Sequence, residues 1–326
     1  MKNMVKKWKS KPTRSSETVG ISLREEGIAF AQVRWQNGRP HLLNCEFLPA
    51  PTGEACAVLT SQISRLRLVR HRCVGILTGD DYSLLQIEPP AVPPEEWREA
   101  VRWQIRDLID YPLDEAVVDV FSVPTDARPG RQAIAYAVAA PRQVVREAAN
   151  CLAAARLKIA AIDIPELAVR NLVRLLPGEE RGLAFLYLGR HGGGLVIVRD
   201  GHLYLSRRLN IGIDSLRELA PVATGEDLID LSSRFNDLLD SVILEVQRSL
   251  DFYESNFALP PIANLMLAPM EADLPQVLPY LQQYLGVKVA ALDLGALFDL
   301  PALTPPVQAR CLTAIGGALR AQQVTP

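Results

Sequence analysis

The chain has 326 residues, of which 48% are apolar, and this length is sufficient to bury large cores in about two domains. Its net charge of −2 provides no overall field that would attract a nucleic acid, so bulk polyanion binding is excluded as a function class. The five cysteines are widely spaced and form no C-x-x-C pair, which favours reduced thiols over a disulfide or zinc framework and predicts a cytosolic location. Neither a membrane-spanning run of about 20 apolar residues nor a secretory leader is expected.

Residues 1–16 are the exception to this balanced charge, because they carry six cations, no acid and a tryptophan. Each cation near anionic lipid contributes about 1 kcal/mol, and tryptophan is favoured among the headgroups. A basic, flexible tail is predicted for residues 1–16, since charged termini usually fray. The alternative is a contact with a membrane surface, assigned to Lys6, Lys7, Trp8 and Lys9.

Apolar runs separated by turn residues predict a first core over residues 17–80. This core consists of a three-stranded meander, a helix and a further strand. The predicted strands are 18–23, 28–35, 42–47 and 72–78, and the predicted helix is 55–68. Residues 158–180 and 307–322 are expected to return to the same core.

An inserted subdomain is predicted over residues 82–157, because the pattern restarts there and gives a unit of about 75 residues. The predicted elements are strand 84–87, a helix near 94–109, strands 117–123 and 132–139, and helix 142–155. In the first helix, apolar side chains recur at steps of three or four and predict a buried stripe of Trp97, Val101, Ile105 and Leu108.

Strand 158–164 and helix 165–176 are expected to lead into a second half, residues 181–306, that repeats the opening plan. The predicted elements of this half are strands 183–188, 194–199 and 202–209, a long helix ending near Phe257, strand 264–267, helix 274–285 and strand 287–292. Thr224 and Asp227 have the spacing of a capping pair for the long helix. A last helix is predicted over 307–321. The predicted fold class is α/β, with mixed α+β sheets in two similar halves.

Two mixed halves, the first carrying an insert, resemble the two-domain actin-like fold of the FtsA/PilM type. Three segments resemble PilM-like proteins of type IV pilus assembly, most nearly the MshI group of the mannose-sensitive haemagglutinin (MSHA) pilus. They are residues 101–121, where a helix is followed by Tyr-Pro, an acidic turn and a strand; residues 244–255 of the long helix; and residues 313–320, a glycine-containing part of the last helix. The resemblance covers residues 17–322.

The resemblance implies a nucleotide cleft in which two hairpins each carry a carboxylate that orients hydrated magnesium and the attacking water. Here Ser22 and Tyr187 stand at the two acid positions, and neither side chain ionises at neutral pH. A pseudo-ATPase with no catalytic residue is therefore predicted. No cofactor is expected, although ATP or ADP could occupy a residual cleft. That cleft is assigned to Gly189, Arg190, Gly192, Gly193, Gly316 and Gly317. The four histidines are scattered, so no metal site is predicted.

The partner implied by the resemblance is the N-terminal cytoplasmic tail of a single-span PilN-like protein, MshJ in the MSHA system, docked between the first core and the inserted subdomain. Arg102, Trp103 and Arg106 fall off the buried stripe and are predicted to contact it, since tryptophan and arginine are favoured interface anchors. The implied location is cytoplasmic and peripheral to the bacterial inner membrane. Two alternatives remain open: a nucleotide-binding actin-like ATPase of pilus assembly or secretion, and a small-molecule kinase of the same fold.

Overall fold

The computed structural model describes residues 17–79, 81–124, 133–220, 228–300 and 303–320. Its first sheet has five strands in the order β3-β2-β1-β4-β8. The strands are β1 (Glu17–Arg24), β2 (Gly27–Gln36), β3 (Arg39–Pro49), β4 (Arg72–Ile76) and β8 (Lys158–Asp163). The first three strands form an antiparallel meander, while β4 and β8 run parallel to β1. The predicted meander is confirmed.

The inserted subdomain has an antiparallel sheet of three strands in the order β5-β7-β6. Its elements are β5 (Ser83–Ile87), α2 (Trp97–Gln104), β6 (Ala116–Ser122), β7 (Ala135–Pro141) and α3 (Arg142–Ala154). The helix predicted near 94–109 is shorter than expected, because 3-10 turns at Pro94–Glu96 and Arg106–Leu108 flank α2. Val101 and Ile105 are fully buried, but the prediction that Leu108 is buried is wrong, since it is 56% exposed.

The second half has another five-stranded sheet, in the order β11-β10-β9-β12-β13. The strands are β9 (Leu183–Leu188), β10 (Gly193–Arg199), β11 (His202–Leu209), β12 (Asn264–Leu267) and β13 (Lys288–Ala291). Its meander is again antiparallel, and β12 and β13 are again parallel to the central strand. The two sheets therefore share one plan, as the sequence predicts.

Helices cover both sheets and fill the space between them. They are α1 (Ala55–Gln62), α4 (Pro165–Val173), α5 (Ile213–Leu219), α6 (Leu228–Phe257), α7 (Val277–Tyr284), α8 (Leu294–Leu297) and α9 (Pro305–Ala318). One core joins the halves, because α4 and α9 pack against buried side chains of both meanders, including Ala31, Phe185 and Val196. The short helix α5 is not predicted from the sequence, and the capping pair proposed for α6 lies outside the described residues. No helix in the described part of the chain is long and apolar enough to cross a membrane.

A disulfide joins Cys56 of α1 to Cys151 of α3, across 95 residues of sequence. The expectation that all five cysteines are reduced is therefore wrong for this pair. The bond links two helices that are distant in the chain, so spacing in the sequence gives no indication of it. Cys45, Cys73 and Cys311 are free thiols.

Candidate functional site: a cleft between the two halves

A cleft of about 610 Å³ lies between the two halves and is called here the interdomain cleft. Its walls come from the β1–β2 hairpin, the β9–β10 hairpin, the start of α4 and the middle of α9. The symmetry of the two sheets explains this placement, because it brings the two hairpins to face each other across the space.

The first hairpin contributes Ser22, which is buried and lines the cleft at the position predicted for an acid. The glycine of this hairpin, Gly27, does not face the cleft. A β-carbon at Gly27 would instead overlap the backbone of β3 at the Leu48 carbonyl. Position 22 of this hairpin therefore carries no carboxylate, and Gly27 is not placed to let a phosphate approach the backbone closely.

The second hairpin places Gly189, Arg190, Gly192 and Gly193 on the cleft wall, as predicted. Its backbone groups are largely used within the protein. The Gly189 amide donates to the Gly192 carbonyl at 2.7 Å, and the Gly189 and Arg190 carbonyls accept hydrogen bonds from the first amides of α5 at 2.8 and 3.0 Å. The hairpin is thus fixed to the start of α5.

Asp214 of α5 holds the positive charges of this hairpin, and the sequence analysis does not anticipate it. Its carboxylate lies 3.2 Å from the guanidinium of Arg190 and 3.7 Å from the imidazole of His191. Arg217 approaches the same carboxylate at 3.5 Å. Arg190, which the sequence analysis assigns to the residual nucleotide cleft, is therefore already paired with an anion of its own chain.

The packing of the Tyr187 ring explains why position 194 of this hairpin is a glycine. A β-carbon at Gly194 would lie 2.6 Å from Cζ of the Tyr187 ring, so the ring packs directly on the glycine backbone across the β9–β10 pair. Burial raises the pKa of Tyr187, which keeps the phenol neutral. The glycine at 194 thus accommodates an aromatic ring.

Four carboxyl groups line the cleft, those of Glu25, Glu26, Glu166 and Glu271, and the sequence analysis assigns none of them to it. Glu166, at the start of α4, is the buried one. Glu166 is 6% exposed and accepts a hydrogen bond from the Tyr82 hydroxyl at 2.6 Å. Burial raises the pKa of this carboxyl, although the hydrogen bond from Tyr82 opposes the shift. Glu166 is not part of a metal site, since the described residues contain no group of three or more His, Cys, Asp or Glu side chains that could hold a metal. The signal available in the sequence is the position of Glu166 just after strand β8. Parallel strands end at the same edge of a sheet, so residues that directly follow such strands lie along that edge.

Charged side chains close the rim of the cleft. Arg24, at the end of β1, lies 3.1 Å from Glu271, which follows β12, and Arg310 of α9 reaches the same carboxylate at 3.1 Å. Arg208 donates to the Gly79 carbonyl at 3.0 Å and lies over the Tyr82 ring. These contacts between side chains, and between a side chain and the backbone, join the first half to the second.

Gly316 and Gly317, predicted to line the cleft, are instead buried where α9 packs against its neighbours. A β-carbon at Gly316 would lie 2.5 Å from the carbonyl carbon of Ala168 in α4, and one at Gly317 would lie 2.8 Å from Cδ1 of Ile76. Both glycines therefore permit close helix packing. The residues that α9 presents to the cleft are Ala309, Leu312 and Thr313.

The three residues predicted to contact a partner differ in availability. Trp103 is 66% exposed. Arg102 is engaged within the subdomain, because its guanidinium donates to the carbonyls of Leu113 and Ala116 at 2.7 and 3.1 Å. Arg106 is exposed, and its nearest acid is the adjacent Asp107 at 3.5 Å. The predicted membrane contacts Lys6, Lys7, Trp8 and Lys9 lie outside the described residues.

Comparison with solved structures identifies the fold, whereas no family model and no curated protein matches the sequence. A chain of the PilM-PilN type IV pilus biogenesis complex superposes with a TM-score of 0.70 at 21% identity, covering 94% of this chain and 99% of that one. This chain has an actin-like fold. A Bacteroides thetaiotaomicron protein with an actin-like ATPase fold and unknown function matches with a TM-score of 0.50 at 9% identity, covering 88% and 96%. The cytoplasmic domain of EpsL from the Vibrio cholerae type II secretion system gives 0.49 at 13% identity, covering 94% and 99%.

Proposed function

We propose that this chain is a PilM-like scaffold of the inner-membrane assembly platform of a type IV pilus. The observation that carries the proposal is the superposition on a chain of the PilM-PilN complex over nearly the full length of both. The partner is the N-terminal cytoplasmic tail of a PilN-like membrane protein. Within this class, the sequence resemblance favours an MshI-like protein of an MSHA-type pilus, with MshJ as the partner.

The distribution of exposed apolar side chains supports a partner surface on the inserted subdomain. Of the eight large apolar residues exposed in the described part of the chain, half belong to that subdomain: Val92, Trp103, Leu108 and Val117. This concentration on one unit favours the inserted subdomain as the place of a partner surface. Trp103 is the most exposed of the eight, and it is the expected anchor because truncation of a central tryptophan commonly removes about 2 kcal/mol or more of binding energy.

The cleft chemistry supports a scaffold that does not turn over nucleotide. Ser22 and the half-buried, neutral Tyr187 occupy the two positions where a magnesium-dependent enzyme of this shape needs carboxylates. Arg190 is paired with Asp214. No nucleotide is therefore required for the proposed role.

The second candidate is a nucleotide-binding actin-like ATPase of pilus assembly or secretion, and Glu166 is the observation that favours it, because this acid lies in the cleft beside Arg208. Two measurements separate the two candidates: a phosphate-release assay, and calorimetric titration with ATP and magnesium. The scaffold proposal expects no phosphate release and no effect of Glu166→Gln on any binding heat. Steady phosphate release that Glu166→Gln abolishes would establish the ATPase.

The partner is tested with a fluorescent peptide that carries the cytoplasmic tail of the PilN-like protein of the same organism. Fluorescence anisotropy is expected to show binding to the full chain and at least about 30-fold weaker binding to Trp103→Ala, which corresponds to about 2 kcal/mol. Leu244→Ala is the matched control, because Leu244 is also exposed but lies on α6 in the second half. Equal affinities of the two variants would contradict the assignment of Trp103, and absence of binding to the full chain would contradict the partner.

The proposed location is the cytoplasmic side of the inner membrane. Cys56 of the disulfide is exposed, so the reducing thiols of that compartment have access to the bond. Rapid alkylation of thiols in intact cells is expected to label the exposed Cys56, whereas full protection of Cys56 would place the protein in an oxidising compartment.

A further inference from the structure

Helix α2 of the inserted subdomain presents acids beside Trp103. Glu99 lies one helical turn before Trp103, and Glu96, the N-cap residue of α2, lies two turns before it. Together with Glu95, these residues form a surface that is called here the α2 acidic face. All four side chains are exposed, and none of the three glutamates has an ion pair within the described part of the chain. The carboxylates and the indole are therefore presented together to solvent.

The arginines of the same helix turn toward β6 and the turn before it. Arg98 donates to the carboxylate of Asp119 at 2.9 Å. Arg102 donates to the backbone carbonyls of Leu113 and Ala116 at 2.7 and 3.1 Å. Each arginine directly precedes a residue of the α2 acidic face, and successive residues of a helix are turned by about 100° around its axis. The two cations are therefore used within the subdomain, and the α2 acidic face keeps its negative charge.

The surroundings of this face have the same sign. Residues 88–119 contain nine acids against three arginines, with no lysine or histidine. The third arginine, Arg106, lies 3.5 Å from the adjacent Asp107, and Arg142 of α3 reaches only the backbone carbonyl of Asp114. Charge complementarity therefore selects a cationic segment as the occupant of this surface. The nine acids, all exposed, are Glu88, Glu95, Glu96, Glu99, Asp107, Asp110, Asp114, Glu115 and Asp119.

Trp103 provides a second reason for a cationic occupant. Tryptophan is the aromatic side chain whose ring face attracts a lysine or arginine most strongly. A cation stacked on Trp103 has the Glu99 carboxylate one helical turn away, so both groups act on the same charge. Leu108, which is exposed just after α2, offers an apolar contact to the same segment. The occupant is therefore expected to carry both basic and apolar side chains.

This inference rests on the proposed function, in which the partner is a membrane protein with a cytoplasmic tail. Cytoplasmic segments close to a membrane span carry an excess of lysine and arginine. We propose that the α2 acidic face binds the basic residues of this tail, with one cationic side chain stacked on Trp103 beside Glu99. Charge attraction speeds the encounter and orients the tail, while Trp103 provides the short-range contact.

The salt dependence of tail binding tests the proposal, with the fluorescent PilN-like peptide as the probe. Binding to the unchanged chain is expected to weaken about 10-fold between about 50 and about 500 mM salt, because exposed charges are screened. At low salt, a variant carrying Glu95→Gln, Glu96→Gln and Glu99→Gln is expected to bind at least about 10-fold more weakly and to respond less to salt. The matched control removes three exposed acids of α6 and should bind like the unchanged chain. It carries Asp237→Asn, Asp251→Asn and Glu254→Gln.

A second measurement leaves the protein unchanged, since acids near a helix start also stabilise the helix and their removal could disturb α2. A peptide whose lysines and arginines are replaced by glutamine is expected to bind the unchanged chain at least about 10-fold more weakly than the original peptide. Equal binding of the two peptides, or binding that salt does not weaken, overturns the inference and leaves the partner in place. Absence of binding of the original peptide at every salt concentration overturns the partner and the inference together.

Discussion

Gly316 of α9 packs directly on the carbonyl group of Ala168 in α4, and a β-carbon at position 316 would overlap the carbonyl oxygen. Gly20 of β1 lies in the same way against the Ala314 carbonyl on α9. The last helix is therefore held at backbone distance from both a strand and a helix of the first half. This crossing lies in the core that joins the two halves.

Replacing Gly316 with alanine is expected to lower the free energy of unfolding by about 3 kcal/mol, because backbone atoms of α4 must move to admit the methyl group. Chemical denaturation followed by circular dichroism measures the change. Gly286→Ala is the control, since nothing lies within 4 Å of a β-carbon at that position, and a change of under about 1 kcal/mol is expected there. Equal losses in the two variants would contradict the close approach.

Breaking the disulfide by Cys56→Ser is expected to destabilise the folded chain by about 3 kcal/mol. The bond closes a loop of 95 residues and so restricts the unfolded chain. Cys56 is exposed, so the substitution removes little packing. Urea denaturation with and without a reducing agent measures the effect, and reductant should destabilise the unchanged protein but leave the Cys56→Ser variant where it is. A response of the variant as large as that of the unchanged protein would show that the effect arises elsewhere.

The buried carboxyl of Glu166 gives a pH dependence whose sign follows from its pKa. Burial raises the folded-state pKa above the ordinary 4.5, so its contribution to stability is present below pH 4.5 and is lost as the pH rises through the folded-state pKa. Glu166→Gln removes this loss and keeps an acceptor for Tyr82. Relative to the unchanged protein, the variant is expected to become more stable as the pH rises from 4.5 to 7. Denaturation at several pH values tests it, with exposed Glu254→Gln as a control that should show no such gain.

The ion pairs at the cleft rim should contribute to the stability of the joined halves. Glu271 is 10% exposed at its side chain and contacts both Arg24 and Arg310. Glu271→Gln therefore removes the carboxylate paired with Arg310, while Arg24 keeps its ion pair with Glu26 at 2.7 Å. A loss of about 2 kcal/mol is expected, less than for a fully buried pair. The matched control is Glu245→Gln, which breaks an exposed pair on α6 and should cost under about 1 kcal/mol. A loss no larger than in the control would contradict a structural role for the rim.

Local pattern predicts much of this fold. The predicted strands of both meanders are confirmed. Their apolar runs are buried on both faces, as in β1 and β10, and turn residues separate each strand from the next. The repetition of this pattern predicts two similar halves, and the resemblance to PilM-like proteins implies the actin-like fold. Pattern fails at α5, whose seven residues are too few for a periodic signal, and at residues 94–109, where backbone turns break the helix without changing its spacing.

The cleft is predicted only in part, because its other members meet through tertiary structure. The β9–β10 hairpin is found from its glycines, and Ser22 and Tyr187 from their positions in the hairpins. Glu166 and Asp214 lie in other elements; the position of Glu166 just after β8 is a weak indication, and nothing in the local sequence of Asp214 indicates that it meets the hairpin. Gly316 has the composition of a ligand-binding glycine, yet only the position of α4 reveals that it serves packing.

Asp214 acts as a tethered competitor for any anion that approaches Arg190. Its own amide donates to the Arg190 carbonyl, so the carboxylate stays beside the guanidinium at an effective concentration on the order of millimolar or higher. An incoming phosphate must displace this built-in counter-ion before it gains any attraction from the hairpin. The occupancy of the cleft is thereby set by a local exchange between anions, and an Asp214→Asn substitution would leave the arginine open to anions from solution.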